Sequence, residues 1–291
     1  MVKSWIEAMR LRTLPASVAG VIMAWAYAVA GGTFKPLPAL LCLIFAVLCQ
    51  IASNFANEYY DYRAGRDRAG REGPRRGVTE GDITPRAMKL ATYGILAAAA
   101  LIGLSLTYWG GLWLIIPGIA IAIGALAYST GPWPLSTHCM GEAAVILFFG
   151  IVPVNLTYYV QSLAWSADVL TGSIVIGLLA ADVLIVNNTR DIPDDRAVGK
   201  HTLATALGRR AMTALYIIFG LSVLTMLPQW SSLGGDLLAA VPCLFAGAFL
   251  GIGILISRRY GASLTPCLAL TSVFMLLYSL SFLTATVCSV D

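Results

Sequence analysis

Long apolar runs alternate with short charged segments from one end of this 291-residue chain to the other. A helix needs about 20 apolar residues to cross a bilayer core. Runs of that order lie near 13–31, 36–56, 88–108, 111–130, 140–160, 168–188, 211–229, 236–256 and 264–287. Lipid offers a backbone amide no hydrogen-bond partner, so each run is expected to satisfy its own backbone as a helix. The pattern therefore predicts an all-α, polytopic membrane protein with nine transmembrane helices, one domain over residues 1–291. The Trp109-Gly110-Gly111 break divides the stretch 88–130 into two of them.

Basic residues orient this arrangement. With the N-terminus inside, the internal segments are 1–12, 57–87, 131–139, 189–210 and 257–263. They hold every lysine and arginine except Lys35, counting Lys89 just inside the next helix. That is the positive-inside distribution, and it puts the C-terminus outside. Composition agrees: 58% of residues are hydrophobic and 12% charged, with a mean hydropathy of +0.78, against about 25% charged in soluble domains. The net charge of +4 is small, and no nucleic-acid partner is expected. The six cysteines form no CxxC pair and read as small buried hydrophobes, and His138 and His201 stand alone without ligand-like spacing. The start, MVKSWIEAMRLRTLPAS, is amphipathic and charged, and the run after it is long enough to span, so no cleavable signal is expected.

Two internal segments carry most of the chemistry. One is Asn57-Glu-Tyr-Tyr-Asp61-Tyr-Arg-Ala-Gly-Arg-Asp67, at the end of the second apolar run. The other is Asn187-Asn-Thr-Arg190-Asp191-Ile-Pro-Asp194-Asp195-Arg-Ala-Val-Gly-Lys200, at the end of the sixth. Asn57 and Asp61 share a helix face, as do Asn187 and Asp191; Asp195 joins them if the helix continues past Pro193. An even number of crossings separates the two, so both stripes end on one side. Acidic groups at membrane depth are costly and usually functional, and carboxylates that converge repel unless a cation bridges them. Magnesium, which binds one or two carboxylates together with phosphate oxygens, fits this donor set. Arg63, Arg66, Arg190, Arg196 and Lys200 are positioned to neutralise a diphosphate. Arg68 through Arg76 read equally well as a solvated tether.

The motifs resemble those of the intramembrane aromatic prenyltransferases (the UbiA-type superfamily), and within it the 1,4-dihydroxy-2-naphthoate polyprenyltransferases of menaquinone synthesis. The resembling stretches begin with Trp5-x-x-Ala8-x-Arg10-x-x-Thr13-Leu14-Pro15, then NEYYDYRAGRD and GPRRGVTEGDIT. They continue with Tyr128-Ser-Thr-Gly-Pro-Trp-Pro-Leu135, Gly141-Glu142, Phe148-Phe-Gly-Ile-Val-Pro153, Thr157-Tyr-Tyr and NNTRDIPDDRAVGKHTLATALG. They cover the chain from Trp5 to about Gly208. The family's usual Asn-Asp start reads Asn57-Glu58 here, which keeps the charge.

The resemblance implies helices around a central cavity, in a bacterial inner membrane, with the active site cytoplasmic. It implies that Asn57, Asp61, Asp67, Asn187, Asp191 and Asp195 bind Mg2+ on a polyprenyl diphosphate. Relatives that use 4-hydroxybenzoate carry a basic residue in the loop after the fourth helix, and Pro132-Trp133-Pro134-Leu135 has none, which favours dihydroxynaphthoate as the acceptor. Asp61, Asp191 and Tyr128 are the catalytic candidates. Metal and basic groups would stabilise the departing diphosphate, and an aromatic face would stabilise the allylic cation in a water-poor pocket. Tyr59, Tyr60, Tyr62, Tyr158 and Tyr159 are further candidates for that face. The acceptor ring then attacks and loses its carboxylate as carbon dioxide. Arg10, Thr13 and Glu142 are candidates for acceptor recognition or for supporting the site. Alternatives are the same reaction on homogentisate, 4-hydroxybenzoate or a chlorin, and, in another class, a secondary transporter or cation channel.

Overall fold

The computed structural model describes residues 2–67 and 75–290. The basic stretch from Arg68 to Arg71 lies outside them, so its reading as a tether is not addressed below. Among the described residues there is no β-strand. The helices in chain order are α1 (Val2–Met9), α2 (Leu14–Ala30), α3 (Pro36–Arg63), α4 (Pro85–Gly110), α5 (Ile115–Ala127) and α6 (Gly141–Val145). After a π-helical turn at Ile146–Ile151 come α7 (Val152–Ser162), α8 (Ala167–Arg190), α9 (Ile192–Ala197), α10 (Leu203–Leu221), α11 (Leu227–Arg258) and α12 (Thr265–Val290).

Local chemistry sets the boundaries. Proline opens α3, α4 and α9 in the first turn, where a missing N–H costs nothing. Thr84 caps α4 by accepting from Ala87 N at 3.2 Å, and Thr202 and Thr205 form a reciprocal cap on α10. The chain leaves α3 through Gly65 at φ 67°, a left-handed conformation that glycine adopts without strain.

Seven helices among the described residues are long and apolar enough to cross a membrane, where the hydrophobic runs predict nine. The run at 111–130 forms only the shorter helix Leu112–Ala127. The runs at 211–229 and 236–256 merge into one helical stretch, Leu203–Arg258, interrupted by non-helical Gly208, by a 3₁₀ segment and by non-helical Gly234 and Gly235. That stretch folds back, with Gly220 against Phe249 and Gly253 against Ile217.

The centre of the bundle is α8, whose span is 72% buried, while that of α4 is only 17% buried. α2 packs along α12, α3, α7 and α8; α8 packs on α10, α12 and the π turn. Side-chain size permits the closest of these approaches: Gly150 lies directly on the Gly177 backbone, the small-residue contact expected where lipid provides no hydrophobic drive between helices. Outward, α4 and α5 present Leu90, Leu101, Ile116 and Ile123, a face suited to hydrocarbon. This corrects the cysteine expectation. All six are free, but only Cys42 and Cys267 are buried, while Cys243 and Cys288 are exposed, since an outward position in lipid is also apolar.

One clasp joins the motif-bearing loops. His138 and His201 form an isolated parallel bridge, and Cys139 N donates to His201 O at 3.1 Å. The loop after α5 is thus tied to the segment after α9.

Candidate active site

At the motif-bearing end of α3, Asn57 and Asp61 are both buried. Asn57 is held by groups from three other segments. Its Oδ1 accepts from Arg10 Nη2 at 2.5 Å and from Arg76 Nη2 at 3.1 Å, while its Nδ2 donates to Ser129 Oγ at 3.1 Å. Arg10 reaches it from a left-handed backbone turn, φ 53° and ψ 57°, between α1 and the next helical segment. A non-glycine residue adopts this rarely. Asp61 is less tightly engaged: Arg66 Nη1 is 3.6 Å from its Oδ1, which accepts no hydrogen bond although it is buried. Beyond the helix, Asp67 pairs with Arg76 Nε at 3.5 Å. Glu58, in place of the expected aspartate, is buried and accepts from Val78 N at 2.9 Å, which pins the segment ahead of α4.

The second motif keeps its i,i+4 spacing through a helix junction. α8 ends at Arg190 and α9 begins at Ile192 with Pro193 in its first turn. The helical bonds nevertheless run on, from Asp191 N to Asn187 O at 3.1 Å and from Asp195 N to Asp191 O at 2.8 Å. Arg190 binds its own neighbours: Nε donates to Asp191 Oδ1 at 2.7 Å, and Nη2 donates to Asp191 Oδ2 at 3.0 Å and to Asn187 Oδ1 at 2.8 Å. Lys200 Nζ lies 3.6 Å from Asp195 Oδ1. Behind this motif Asn188 Nδ2 donates to Glu142 Oε1 at 2.9 Å.

Two adjoining cavities meet these groups. A polar one of about 620 Å³ is lined by Arg10, Arg12, Thr13, Arg75, Asn187 and Arg190 among others. An apolar one of about 560 Å³ runs among α3, α4, α5 and α7, past Phe45, Leu104, Phe148 and Leu156. Gln50, Ser53, Tyr128, Val145 and Phe149 line both. A compartment with cationic walls opening into one with hydrocarbon walls suits an amphiphile with an anionic head and a long apolar tail.

The candidates from sequence divide in the structure. Arg10, Thr13, Tyr128, Asn187 and Arg190 line the polar cavity, and Asp61, Asp67, Asp191, Asp195, Arg66 and Lys200 pair around the motifs. Arg63 and Arg196 point elsewhere. Arg63 is exposed with its guanidinium 6.0 Å from the Tyr59 ring, and Arg196 is exposed and donates to Thr205 O at 3.3 Å. Of the tyrosines considered, Tyr128 alone lines both cavities; Tyr60 pairs with Tyr93 at 2.6 Å and Tyr159 stacks on Trp165. Sequence reasoning passed over Ser129, Asn188 and Gln50, and left Arg76 within the tether. The run Arg75-Arg76-Gly77 inside a resembling stretch was the available signal for Arg76.

The donor set fits Mg2+ bound with a substrate. Among the described residues no group of three or more acidic, histidine or cysteine side chains is placed to hold an ion unaided. Magnesium does not need one, since it takes one or two carboxylates and completes its shell with water and phosphate oxygens. The buried Asp61 Oδ1, which accepts no hydrogen bond, is a hard oxygen of the required kind.

A model of the UbiA prenyltransferase family matches residues 18–280. The chain is 39% identical over 215 residues to the 1,4-dihydroxy-2-naphthoate octaprenyltransferase of Escherichia coli (strain K12), covering 71% of this chain and 69% of that one. It is 36% identical over 288 residues to the protein of the same name from Mycobacterium tuberculosis (strain ATCC 25618 / H37Rv), covering 95% and 94%. Among solved structures, a UbiA homolog from Archaeoglobus fulgidus bound to DMAPP and Mg2+ matches with a TM-score of 0.66 at 15% identity, over 97% of this chain and 99% of that chain. At that identity the likeness is one of fold.

Proposed function

This chain belongs to the UbiA prenyltransferase family, and from that premise we propose that it transfers a polyprenyl chain from polyprenyl diphosphate to 1,4-dihydroxy-2-naphthoate, with loss of carbon dioxide, giving demethylmenaquinol. The observation that carries the reading is a cavity walled by Arg10, which bonds Asn57 of the first stripe, and by Asn187 and Arg190 of the second, that opens into an apolar one. The names of the E. coli and M. tuberculosis relatives and the absence of a basic residue in Pro132–Leu135 support the acceptor.

The chain's own residues divide the work. Arg66, Arg76, Arg190 and Lys200 bind the diphosphate oxygens. They now rest on aspartate or amide oxygens, and the higher charge of a diphosphate makes it a strong competitor for them. Asp61, Asp67, Asp191 and Asp195, with Asn57 and Asn187, would then hold Mg2+. When bound, the ion supplies positive charge that stabilises the leaving diphosphate. Arg63 and Arg196 are left out of the set because of their directions. Phe149 and Tyr128, at the cavity junction, give the allylic carbon an aromatic, water-poor surrounding as its bond to oxygen breaks. The tail lies along the apolar cavity, and Arg10, Thr13 and Glu142 support the acceptor's side.

The protein is an integral membrane protein. The distribution of its basic residues supports cytoplasmic placement of the N-terminus and both motifs, in a bacterial inner membrane. Nine crossings result if Leu112–Ala127 and each arm of Leu203–Arg258 cross once, and the chain then acts as a single unit.

Purified protein given dihydroxynaphthoate, a polyprenyl diphosphate and Mg2+ should release prenylated quinol, carbon dioxide and diphosphate. The same assay with homogentisate, 4-hydroxybenzoate and a chlorin tests the acceptor. No product from dihydroxynaphthoate at any chain length overturns the reading.

A further inference from the structure

The Gln50 side chain stands where the polar and apolar cavities join, lining both. It is only 7% exposed, and its two ends are in different situations. Nε2 donates to Thr13 Oγ1 at 3.2 Å, whereas Oε1 is buried with no hydrogen-bond partner. Which end is the oxygen is often ambiguous in an amide, but the neighbours decide it here. Thr13 commits its hydroxyl hydrogen to Arg10 O at 2.9 Å, so Thr13 Oγ1 can only accept, and the group facing it must be the NH₂. The carbonyl oxygen is therefore the end left over. Buried acceptors are almost always paired in native proteins, and one left open beside a substrate cavity points to a ligand that donates.

The reactants differ sharply in what they can offer. An ionised diphosphate carries acceptor oxygens and would be repelled by a carbonyl. The prenyl tail has no polar hydrogen. Only the aromatic acceptor brings O–H donors. We propose that Gln50 is a positioning residue for the acceptor, its Oε1 accepting a hydrogen bond from a ring hydroxyl of the dihydroxynaphthoate. The terminal torsion of a glutamine is broad, so the carbonyl turns toward a bound ring while Nε2 stays within reach of Thr13. Accepting that proton's bond also leaves the hydroxyl oxygen, and through it the ring, more electron-rich. Thr13 and Arg10, both from the N-terminal segment, thereby act on the acceptor through Gln50, which links that segment to α3.

This inference rests on the proposed function, and the experiment separates the two. Turnover of dihydroxynaphthoate by the wild-type enzyme tests the function alone; the comparison of variants tests Gln50. Gln50→Leu should raise the KM for the acceptor roughly tenfold and leave the KM for prenyl diphosphate within about twofold. The sharper readout is discrimination against 1-hydroxy-2-naphthoate, which lacks the second hydroxyl, measured as a competitive inhibitor. Wild type should bind it about tenfold more weakly than the dihydroxy acceptor, Gln50→Leu should bind both alike, and Gln50→Glu, which keeps an acceptor oxygen, should restore the difference. An unchanged acceptor KM in a folded Gln50→Leu overturns the proposal, as does a loss confined to prenyl diphosphate. Should Gln50→Leu fail to fold, Gln50→Glu decides alone: loss of discrimination in that variant overturns it.

Discussion

The two acidic motifs look alike as strings and differ as structures. Asn187, Arg190 and Asp191 bond to one another on one helix end, with the arginine bonding residues one and three positions away. Asn57 is instead satisfied by Arg10 before α2, by Arg76 ahead of α4 and by Ser129 after α5. One motif is made by helix geometry; the other is assembled by the fold. A local cluster forms wherever its helix forms, while the assembled one depends on distant segments arriving correctly. Chain entropy opposes that arrival and tertiary packing has to supply it. The assembled motif is thus the place where a perturbation elsewhere in the bundle should first reach the chemistry.

The largest expected effect removes what the motifs share. Asp61→Asn and Asp191→Asn should each lower turnover about 10³-fold or more, with a wild-type elution volume in detergent showing that the protein still folds. Wild-type-like turnover with Mg2+ in either variant would sink the metal role. The next effect separates the motifs. Arg190→Ala leaves the buried Asp191 carboxylate without its adjacent guanidinium, and breaking a buried pair costs about 3–5 kcal/mol. Ser129→Ala removes one neutral hydrogen bond, leaves Asn57 with Arg10 and Arg76, and should cost only about 1–2 kcal/mol. Denaturation of the two variants side by side measures the gap; equal losses would erase the distinction between local and assembled motifs. The smallest effect concerns the arginines that point away: Arg63→Ala and Arg196→Ala should keep the KM for prenyl diphosphate within about twofold. A tenfold rise in either would return that residue to the diphosphate site.

Particular residues show where reading the chain succeeds. The stripe Asn187, Asp191, Asp195 was legible from spacing, because backbone hydrogen bonds carry the i,i+4 period past Pro193. Arg63 and Arg196 lie away from the motifs, a placement that spacing does not reveal. Nearness in sequence says nothing about where a long, flexible side chain points, and an aromatic ring and a carbonyl claimed them. Gln50 looked like one polar residue in an apolar run; only the cavities on either side and the commitment of Thr13 give it meaning. Ser129 follows a run of apolar residues and gains its role solely by facing Asn57.

The amino-acid sequence by itself determined that this protein is helical and membrane-embedded, since lipid leaves a backbone no other hydrogen-bond partner. It also determined where hard oxygens and cations cluster, since those are properties of residue type and of short helical spacing. The tertiary structure decided which cations reach which carboxylates, that a cationic cavity adjoins an apolar one, and that a single amide oxygen is left over between them. Those outcomes depend on the paths of loops and on contacts between residues far apart in the chain, which no local pattern encodes.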